Sequence, residues 1–313
     1  MVGIVILNYN NSIDTLNCID SILKFNSYPV KIVVVDNGST KPDVVNDISS
    51  GLNDRFKGNC AVIQEGTPMG MLPTVTFLLC GKNEGYARGN NKGLELLYGD
   101  KEIEHVMILN SDILFVEDII GRLVEDLKER EDGAIVSPIL YKKDMAGIDY
   151  TCARKLMSLK DLFLYYLLLG RDTCAILSRS SRKRNLLIDK KLPLKDPLIR
   201  IELPSGSCML AEKNLFHQIG SFDPNTFLYN EENILWAKIK NIGRVNYLDT
   251  RYRCIHLGAT TTTSKVPSAF ILECSIESNH YYLKNYTNAG RLYLACMQFF
   301  YAAMRLKFRI KNR

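Results

Sequence analysis

Short apolar runs separated by amphipathic stretches dominate the first half of the chain. Apolar runs bounded by polar residues are typical of buried strands. They predict strands over 2–7, 32–35, 60–63, 75–80, 106–109 and 134–141. Helical spacing of apolar residues predicts helices over 13–25 (capped by Ser12), 42–48 and 118–128. A further helix is predicted to open within 83–93 and to end at about 98. This alternation of strands and helices predicts an α/β fold with a parallel sheet.

The second half carries weaker signals. Residues 144–200 are basic and partly helical in character, but their pattern does not predict defined elements. Farther on we predict a strand over 205–210, a helix over 213–219, a loop and helix within 227–242, a strand over 253–257 and a helical tail from about 268.

The composition favours a globular protein of the cytosol. With 313 residues, 46% of them hydrophobic, the chain can bury a large core without disulfides. Its nine cysteines form no C-x-x-C pair, which argues against a zinc ribbon. No run reaches the roughly 18 apolar residues of a membrane span, and nothing before or within 2–7 resembles a secretory signal. We therefore expect a reducing, cytosolic compartment.

Positive charge is concentrated in two places. The net charge is +6, and no acidic residue follows Glu277. The basic residues of the tail are Lys284, Arg291, Arg305, Lys307, Arg309, Lys311 and Arg313, and a second cluster contains Arg179, Arg182, Lys183 and Arg184. Such clusters favour anionic partners. Because no aromatic RNA-reading motif accompanies them, we do not expect nucleic acid. The tail packs on the rest of the protein, lies on an anionic membrane surface, or does both.

Two acids follow predicted strands at the point where each strand ends. Asp112 closes Asn110-Ser111-Asp112 after the strand over 106–109, and Asp36 follows the strand over 32–35. Open α/β sheets bind ligands at the carboxyl ends of their strands. Two carboxylates there suit a nucleotide and its divalent metal. Taken singly, each acid could equally start a turn or cap a helix.

Six motifs in order resemble the family-2 glycosyltransferases, the inverting enzymes with a GT-A fold, and especially the bacterial rhamnosyltransferase-like branch that builds surface polysaccharides. The motifs are Val5-Ile6-Leu7-Asn8-Tyr9-Asn10, Val34-Val35-Asp36-Asn37-Gly38-Ser39, Asn83-x-Gly85-x-Ala87-x-Gly89-Asn90-Asn91-x-Gly93, Leu109-Asn110-Ser111-Asp112, Gly220-Ser221-Phe222-Asp223 through Phe227-Leu228-Tyr229-Asn230-Glu231-Glu232, and His256-Leu257-Gly258. The resemblance implies a mostly parallel, Rossmann-like sheet flanked by helices, followed by a basic helical tail.

The resemblance also implies which residues bind the nucleotide-sugar. Asp36 would accept a hydrogen bond from the donor's base, and the start of the helix after Asn83 would face its phosphates. The implied binding residues are Asn8, Tyr9, Asp36, Asn37, Asn83, Gly85, Arg88, Gly89, Asn90, Asn110 and Ser111.

The same resemblance implies a metal site. Asp112 would ligate Mg²⁺ or Mn²⁺, which prefer hard oxygen ligands, and His256 would complete the site. Asn110 stands where many relatives have Asp, so a contact through water or to the ribose is more plausible there than direct ligation.

The pair Glu231-Glu232 is the implied acid pair of the active site. By position Glu232 is the general base that takes the proton of the acceptor hydroxyl. Glu replaces the commoner Asp at this position, and Ile234 stands where relatives often place an acid.

The resemblance divides the chain into a GT-A domain over 1–265, with a nucleotide-sugar half over 1–115 and an acceptor half over 116–265, and a tail over 266–313. It implies transfer from dTDP-rhamnose or a UDP-hexose to a glycan or lipid-linked acceptor, at the inner face of a bacterial plasma membrane. Two alternatives remain. A Rossmann oxidoreductase would need G-x-G-x-x-G after the first strand, where this chain has Asn8-Tyr9-Asn10-Asn11. A non-catalytic nucleotide-sugar-binding or scaffold protein could retain the same fold.

Overall fold

The computed structural model describes residues 1–168, 183–187, 190–258 and 269–311. Within these ranges, ten strands form one sheet: β1 (Val2–Asn8), β2 (Val30–Asp36), β3 (Cys60–Gln64), β4 (Val75–Leu79), β5 (His105–Asn110), β6 (Ile113–Phe115), β7 (Gly133–Lys142), β8 (Leu198–Ile201), β9 (Cys208–Glu212) and β10 (Val245–His256).

Nine α-helices accompany the sheet in the same ranges: α1 (Ser12–Phe25), α2 (Val44–Phe56), α3 (Gly85–Gly99), α4 (Ile120–Glu129), α5 (Leu159–Leu167), α6 (Lys213–Gln218), α7 (Glu231–Asn241), α8 (Ala269–Tyr286) and α9 (Arg291–Lys311). Two 3₁₀ turns, Lys143–Met145 and Tyr150–Cys152, follow β7.

The sheet is parallel in its first half and mixed in its second. Its order is β3-β4-β2-β1-β5-β9-β7-β10-β6, with β8 paired to β10 outside this path. All pairs from β3 to β5 are parallel. Beyond β5, β9 runs antiparallel between β5 and β7, and β10 pairs antiparallel with β6 and β8. The predicted α/β class with a flanked central sheet is confirmed.

Helices cover both faces of the sheet because successive strand residues point to opposite sides. Ile4 of β1 packs in a buried cluster with Ile19 of α1 on one face. Its neighbour Val5 packs with Leu94 of α3 on the other face. All four side chains are fully buried, so β1 lies at the centre of a three-layer core.

Most predicted elements are confirmed, with three differences of physical interest. Asn11, rather than Ser12, caps α1, since its side chain accepts from the backbone N–H of Asp14. Helix α2 extends to Phe56, well beyond the predicted 48, although Ser49, Ser50 and Gly51 interrupt its apolar spacing.

The last strand was predicted to be much shorter than β10. It begins at Val245, and its buried Asn246 and Asp249 disguise it as a polar loop in the sequence.

The C-terminal helices pack on the rest of the protein. A third buried cluster joins Ile276 of α8 and Phe300 of α9 to Tyr166 of α5 and Ile234 of α7. The predicted boundary near 265, Arg313, and the basic residues Arg179 and Arg182 lie outside the described residues. In the described part of the chain, every helix is too short or too polar to cross a membrane.

Candidate active site

Three parallel strands end side by side at one edge of the sheet. Asn8 at the end of β1 is paired with Asp36 at the end of β2. On the other side of β1, Leu7 is paired with Asn110 of β5. The fold therefore brings together the strand ends that the sequence singled out.

Asp36 is held by a tight polar cluster at this edge. Its Oδ1 accepts from Asn8 Nδ2 at 2.7 Å, and its Oδ2 accepts from the backbone N–H of Ser39 at 3.0 Å. Asp36 and Asn8 are both buried, at 2% and 0% exposure. The carboxylate is thus fixed in orientation, while Tyr9 beside it is partly exposed.

The start of α3 is bound to the end of β2 by amide side chains. Asn37 Nδ2 donates to Asn83 Oδ1 and to the carbonyl of Gly85, both at 3.0 Å. Asn83 Oδ1 also accepts from the Gly85 N–H at 2.9 Å. Asn37 and Asn83 therefore set the position of the helix start, in addition to any contact with a donor.

Gly85 brings α3 against the loop that precedes α7. It adopts φ +88, and a Cβ built there would lie 2.1 Å from the carbonyl oxygen of Phe227. The next residue, Tyr86, donates its N–H to that same oxygen at 2.9 Å. Only glycine allows this approach of two backbones.

The other predicted residues of α3 have diverse surroundings. Gly89 packs on Leu7, where a Cβ would approach the leucine methyl to 2.6 Å. Asn90 is fully buried, and its Oδ1 has no partner in the described structure. Arg88 donates to the carbonyl of Pro224 and lines a cleft of about 390 Å³. No contact between described residues joins Arg88 to Asp36 or Asp112.

Asp112 and His256 lie next to each other, as the resemblance implied. Asp112 Oδ2 is 3.4 Å from His256 Nε2, and the Asp112 carbonyl accepts from the Leu257 N–H at 2.9 Å. On its other side, His256 Nδ1 lies 2.7 Å from Asp149 Oδ2. Burial alone would lower the pKa of His256, but its hydrogen bonds to the two carboxylates outweigh burial and raise that pKa to about 9.

Asp149 shows the complementary change. Burial alone would raise its pKa, yet the hydrogen bonds from His256 and Thr151 lower that pKa to about 2. The two shifts of pKa favour a protonated His256 between the two carboxylates.

The metal-ligating side chains of this cluster fit a divalent cation that takes its remaining ligands from a bound diphosphate. Among described residues, no group of three His, Cys, Asp or Glu side chains is arranged to hold a metal ion by itself. Asp112 and His256 nevertheless present one carboxylate and one ring nitrogen to each other, and a donor diphosphate would supply the remaining oxygen ligands. Asp149 on the far nitrogen is the usual partner of a metal-binding histidine.

Glu231 and Glu232 differ sharply in their surroundings. Glu231 is 7% exposed, and its Oε1 has no hydrogen-bond partner in the described structure. Burial, followed by the charge of Glu232, raises the pKa of Glu231 to about 8. Glu232 is more accessible, with 23% of its side chain exposed, and its Oε1 accepts from the Gly206 N–H at 3.1 Å. Of the two carboxylates, that of Glu232 is the more exposed.

A short path connects Glu232 to the end of β5. Asn110 binds Ser207 twice, from its N–H to the Ser207 carbonyl at 2.9 Å and from Nδ2 to Oγ at 3.2 Å. The preceding residue, Gly206, donates to Glu232. Asn110 is therefore connected to Glu232 by hydrogen bonds to two consecutive residues, Ser207 and Gly206. Ser111 and Asp112 follow Asn110 directly in the turn toward β6.

A family model for glycosyl transferase family 2 matches residues 3–184, which is more than half of the chain. The chain belongs to this family. The family-2 match covers every predicted site residue except Glu231, Glu232 and His256, whose assignment rests on their motifs and on the geometry above.

Two relatives of the chain have named activities. Low-salt glycan biosynthesis hexosyltransferase Agl10 of Haloferax volcanii is 23% identical over 231 residues, covering 74% of this chain and 58% of its own. N-acetylglucosaminyl-diphospho-decaprenol L-rhamnosyltransferase of Mycobacterium tuberculosis is 23% identical over 247 residues, covering 75% of this chain and 68% of its own. The chain thus spans less than two thirds of the first relative. The class of activity, glycosyl transfer, is common to both.

A solved structure agrees with the family-2 assignment at the level of fold. GalNAc-T7, crystallised with UDP, GalNAc and Mn²⁺, superposes with a TM-score of 0.59 at 14% identity, covering 99% of this chain and 54% of that protein. The predicted GT-A fold is confirmed.

Several residues that contact the predicted site residues had not been predicted. Asp149 and Arg154 lie within 144–200, where no pattern marked them. Arg154 reaches Glu232, with its guanidinium 3.8 Å from Oε1. Gly206 could have been suspected, because an isolated glycine in a strand pattern often marks a close backbone approach. A Cβ at Gly206 would lie 3.2 Å from Glu232 Oε1.

Proposed function

We propose that this family-2 protein is an inverting, metal-dependent glycosyltransferase. It takes a sugar from a nucleotide-diphospho-sugar, dTDP-rhamnose or a UDP-hexose, and adds it to a glycan or lipid-linked saccharide in bacterial surface polysaccharide synthesis. One observation carries the proposal: two groups of side chains lie next to the same strand end. The Asp112–His256 pair comes directly after the end of β5. The accessible carboxylate of Glu232 is connected to Asn110 at that end through Ser207 and Gly206.

Glu232 is the base in this proposal. Its neighbour Glu231 is buried and has a pKa raised to about 8 by burial and by the Glu232 charge, so Glu231 stays neutral near pH 7. The backbone before both residues is strained, since Tyr229 and Asn230 have φ of 75 and 66. Such strain persists where surrounding structure enforces it, often at active sites. It orients the first turn of α7, and with it Glu232.

Asp112 and His256 would hold Mg²⁺ or Mn²⁺. When bound, the cation would offset the negative charge that develops on the leaving diphosphate. Asp36, Asn8 and Tyr9 would bind the nucleoside, and the Asn/Gly-rich start of α3 would lie near the phosphates. Glu232 takes the proton of the acceptor hydroxyl as that oxygen attacks the anomeric carbon, and the bond from that carbon to the diphosphate oxygen breaks.

The experiment that tests this activity is a panel of nucleotide-sugars with and without Mn²⁺. Binding raises the melting temperature by mass action, so the donor is expected to stabilise the protein in a metal-dependent way and to release its nucleoside diphosphate on addition of acceptor. In that assay, Glu232→Gln should lower turnover about 10²–10⁴-fold with donor binding retained. Near wild-type turnover for Glu232→Gln alongside an inactive Glu231→Gln would move the base by one residue.

The absence of an acid at position 234 does not favour the non-catalytic scaffold alternative. Ile234, the residue that departs from the acid common in relatives, is 1% exposed and packs with the C-terminal helices. Its apolar character is therefore explained by packing and does not argue against catalysis.

We also propose that the protein lies peripherally on the cytoplasmic face of the plasma membrane. One face of α9 carries four apolar side chains at helical spacing that are 60–80% exposed: Leu292, Phe299, Leu306 and Ile310. The exposed cations Arg291, Arg309 and Lys311 lie on the same helix, which suits anionic lipid. Arg305, in contrast, is paired with Glu273 at 2.6 Å.

Vesicle flotation tests this membrane contact. The protein should float with anionic vesicles at low salt and lose binding as salt rises, because each basic residue contributes about 1 kcal/mol near the surface. Serine at Leu292, Phe299 and Leu306 should abolish flotation. A matched variant with serine at Ile13 and Met71, exposed at 72% and 74% elsewhere on the surface, should retain it. If the α9 variant floats like the wild type, the membrane proposal is wrong.

A further inference from the structure

A short segment, residues 149–154, runs between the predicted metal ligand and the predicted base. At its start, Asp149 Oδ2 lies 2.7 Å from His256 Nδ1. At its end, a guanidinium nitrogen of Arg154 lies 3.8 Å from Glu232 Oε1. The segment is anchored between these ends, since Cys152 and Ala153 are fully buried.

Thr151 connects the two ends through hydrogen bonds. Its N–H and Oγ1 both donate to Asp149 Oδ1, at 3.0 and 2.8 Å. Its carbonyl accepts from Arg154 Nε at 3.0 Å. The orientation of Asp149 and that of Arg154 therefore depend on the same backbone turn.

The Arg154 end is also fixed to the sheet side of the site. The Arg154 carbonyl accepts from the N–H groups of Glu202 and Leu203, at 3.3 and 3.0 Å. Two residues after Leu203 begins the Ser205–Ser207 stretch whose Gly206 N–H binds Glu232. Glu232 is thus contacted by the Arg154 guanidinium and by the Gly206 N–H. The backbone hydrogen bonds between Arg154 and residues 202–203 hold both of these groups in place.

We infer that residues 149–154 form a positioning element in which Asp149 orients His256 toward Asp112 and Arg154 orients Glu232. The inference rests on the proposed function. A histidine that donates its second ring N–H to a carboxylate has a fixed tautomer and ring orientation, and loss of that carboxylate typically weakens metal binding. A charged partner likewise restricts the rotamers of a catalytic carboxylate, and catalysis is sensitive to such orientation.

Metal affinity tests the Asp149 end without relying on turnover. Mn²⁺ binding is followed by the electron paramagnetic resonance of the free ion, with UDP and, in parallel, with dTDP present. Asp149→Ala should weaken Mn²⁺ binding about 10–100-fold. Asp149→Asn should recover part of the loss because its amide oxygen can take the place of Asp149 Oδ2 and accept from His256. Asp144→Asn, an exposed acid in the same region, serves as the matched control and should bind like the wild type.

At the Arg154 end, we expect a change in kcat and none in metal affinity. Arg154→Leu should leave Mn²⁺ affinity unchanged and lower the kcat for nucleotide release roughly 10–100-fold with little change in donor KM. Lys155→Leu, at the exposed neighbouring position, should leave both constants unchanged. Urea unfolding of each variant, followed by the fluorescence of Trp236, shows whether folding is intact.

Two results would overturn the inference. One is wild-type Mn²⁺ affinity in a folded Asp149→Ala protein. The other is that Asp149→Ala and Arg154→Leu lose metal affinity and kcat equally and both unfold at a lower urea midpoint. That result would show that the segment only stabilises the fold. A wild-type protein that binds no Mn²⁺ with either nucleotide is a distinct outcome, which removes the metal part of the proposed function and the Asp149 role with it.

Discussion

The buried Glu231 side chain makes stability depend on pH in a way that can be isolated by one substitution. Its pKa rises from an ordinary 4.5 to about 8, first because of burial and second because of the charge of Glu232. Each unit of pKa corresponds to about 1.4 kcal/mol. The proton on Glu231 therefore contributes at most roughly 5 kcal/mol to the free energy of unfolding.

The sign follows from which state holds the proton. Below about pH 4.5 both the folded and unfolded chains are protonated at Glu231, so its contribution is complete. Between 4.5 and about 8 only the folded chain keeps the proton, and the free energy of unfolding falls as pH rises. Above about 8 the contribution is lost. Glu231→Gln is neutral at every pH and lacks this slope.

The assay is urea unfolding from pH 5 to 9, read by the fluorescence of the single tryptophan, Trp236, in α7. The quantity of interest is wild type minus Glu231→Gln. This difference removes contributions from other groups in the same range, such as Asp126, whose pKa is raised to about 7 by burial and by Asp249.

A matched control separates the two causes. Glu232→Gln removes the neighbouring charge and leaves Glu231 buried, so the sloping region should move to lower pH without disappearing. If the unfolding free energies of wild type and Glu231→Gln run parallel from pH 5 to 9, Glu231 is ionised in the folded protein and its role as the neutral partner of Glu232 is wrong.

Three further predictions follow from the site. Asp112→Ala should remove the metal dependence of nucleoside diphosphate binding, and calorimetry that gives equal wild-type affinity with EDTA and with Mn²⁺ would contradict direct ligation. Gly85→Ala should lower the free energy of unfolding by about 2 kcal/mol or more, since its Cβ would lie 2.1 Å from Phe227 O, whereas Gly58→Ala has a similar φ of +90 with open space around it and should cost less. The first-formed product should have inverted anomeric configuration by NMR, and retained configuration would exclude a single displacement with Glu232 as base.

The strand ends could be predicted because their signals are local. An apolar run followed at once by Asn8, Asp36 or Asn110 fixes which residue emerges at the edge of a parallel sheet, and the structure pairs these ends as expected. The proximity of Asp112 and His256, which are far apart in sequence, was accessible only through family resemblance. No periodicity connects them.

The rest of the site depends on tertiary contacts that leave no local pattern. Asp149 and Arg154 contact partners that lie 107 and 78 positions away in the chain. The contrast between Glu231 and Glu232 is equally hidden, because adjacent identical residues differ only in what covers them. Strand β10 was underestimated for a related reason, since its polar residues are buried by their partners in the sheet.

Ile234 bears on how this protein and its relatives can differ from one another. The side chain lies on the helix that begins with the acid pair, and it is enclosed by residues of α5, α8 and α9. An acid at that place would be buried in an apolar cluster, and loss of the last two helices would expose an isoleucine beside the proposed base, Glu232. The residue and the C-terminal helices should therefore be inherited together. Among family members, an apolar side chain two positions after the residue equivalent to Glu232 is expected to mark those whose C-terminal helices cover the equivalent of α7. An acid there is expected to mark those in which that surface of the helix stays exposed.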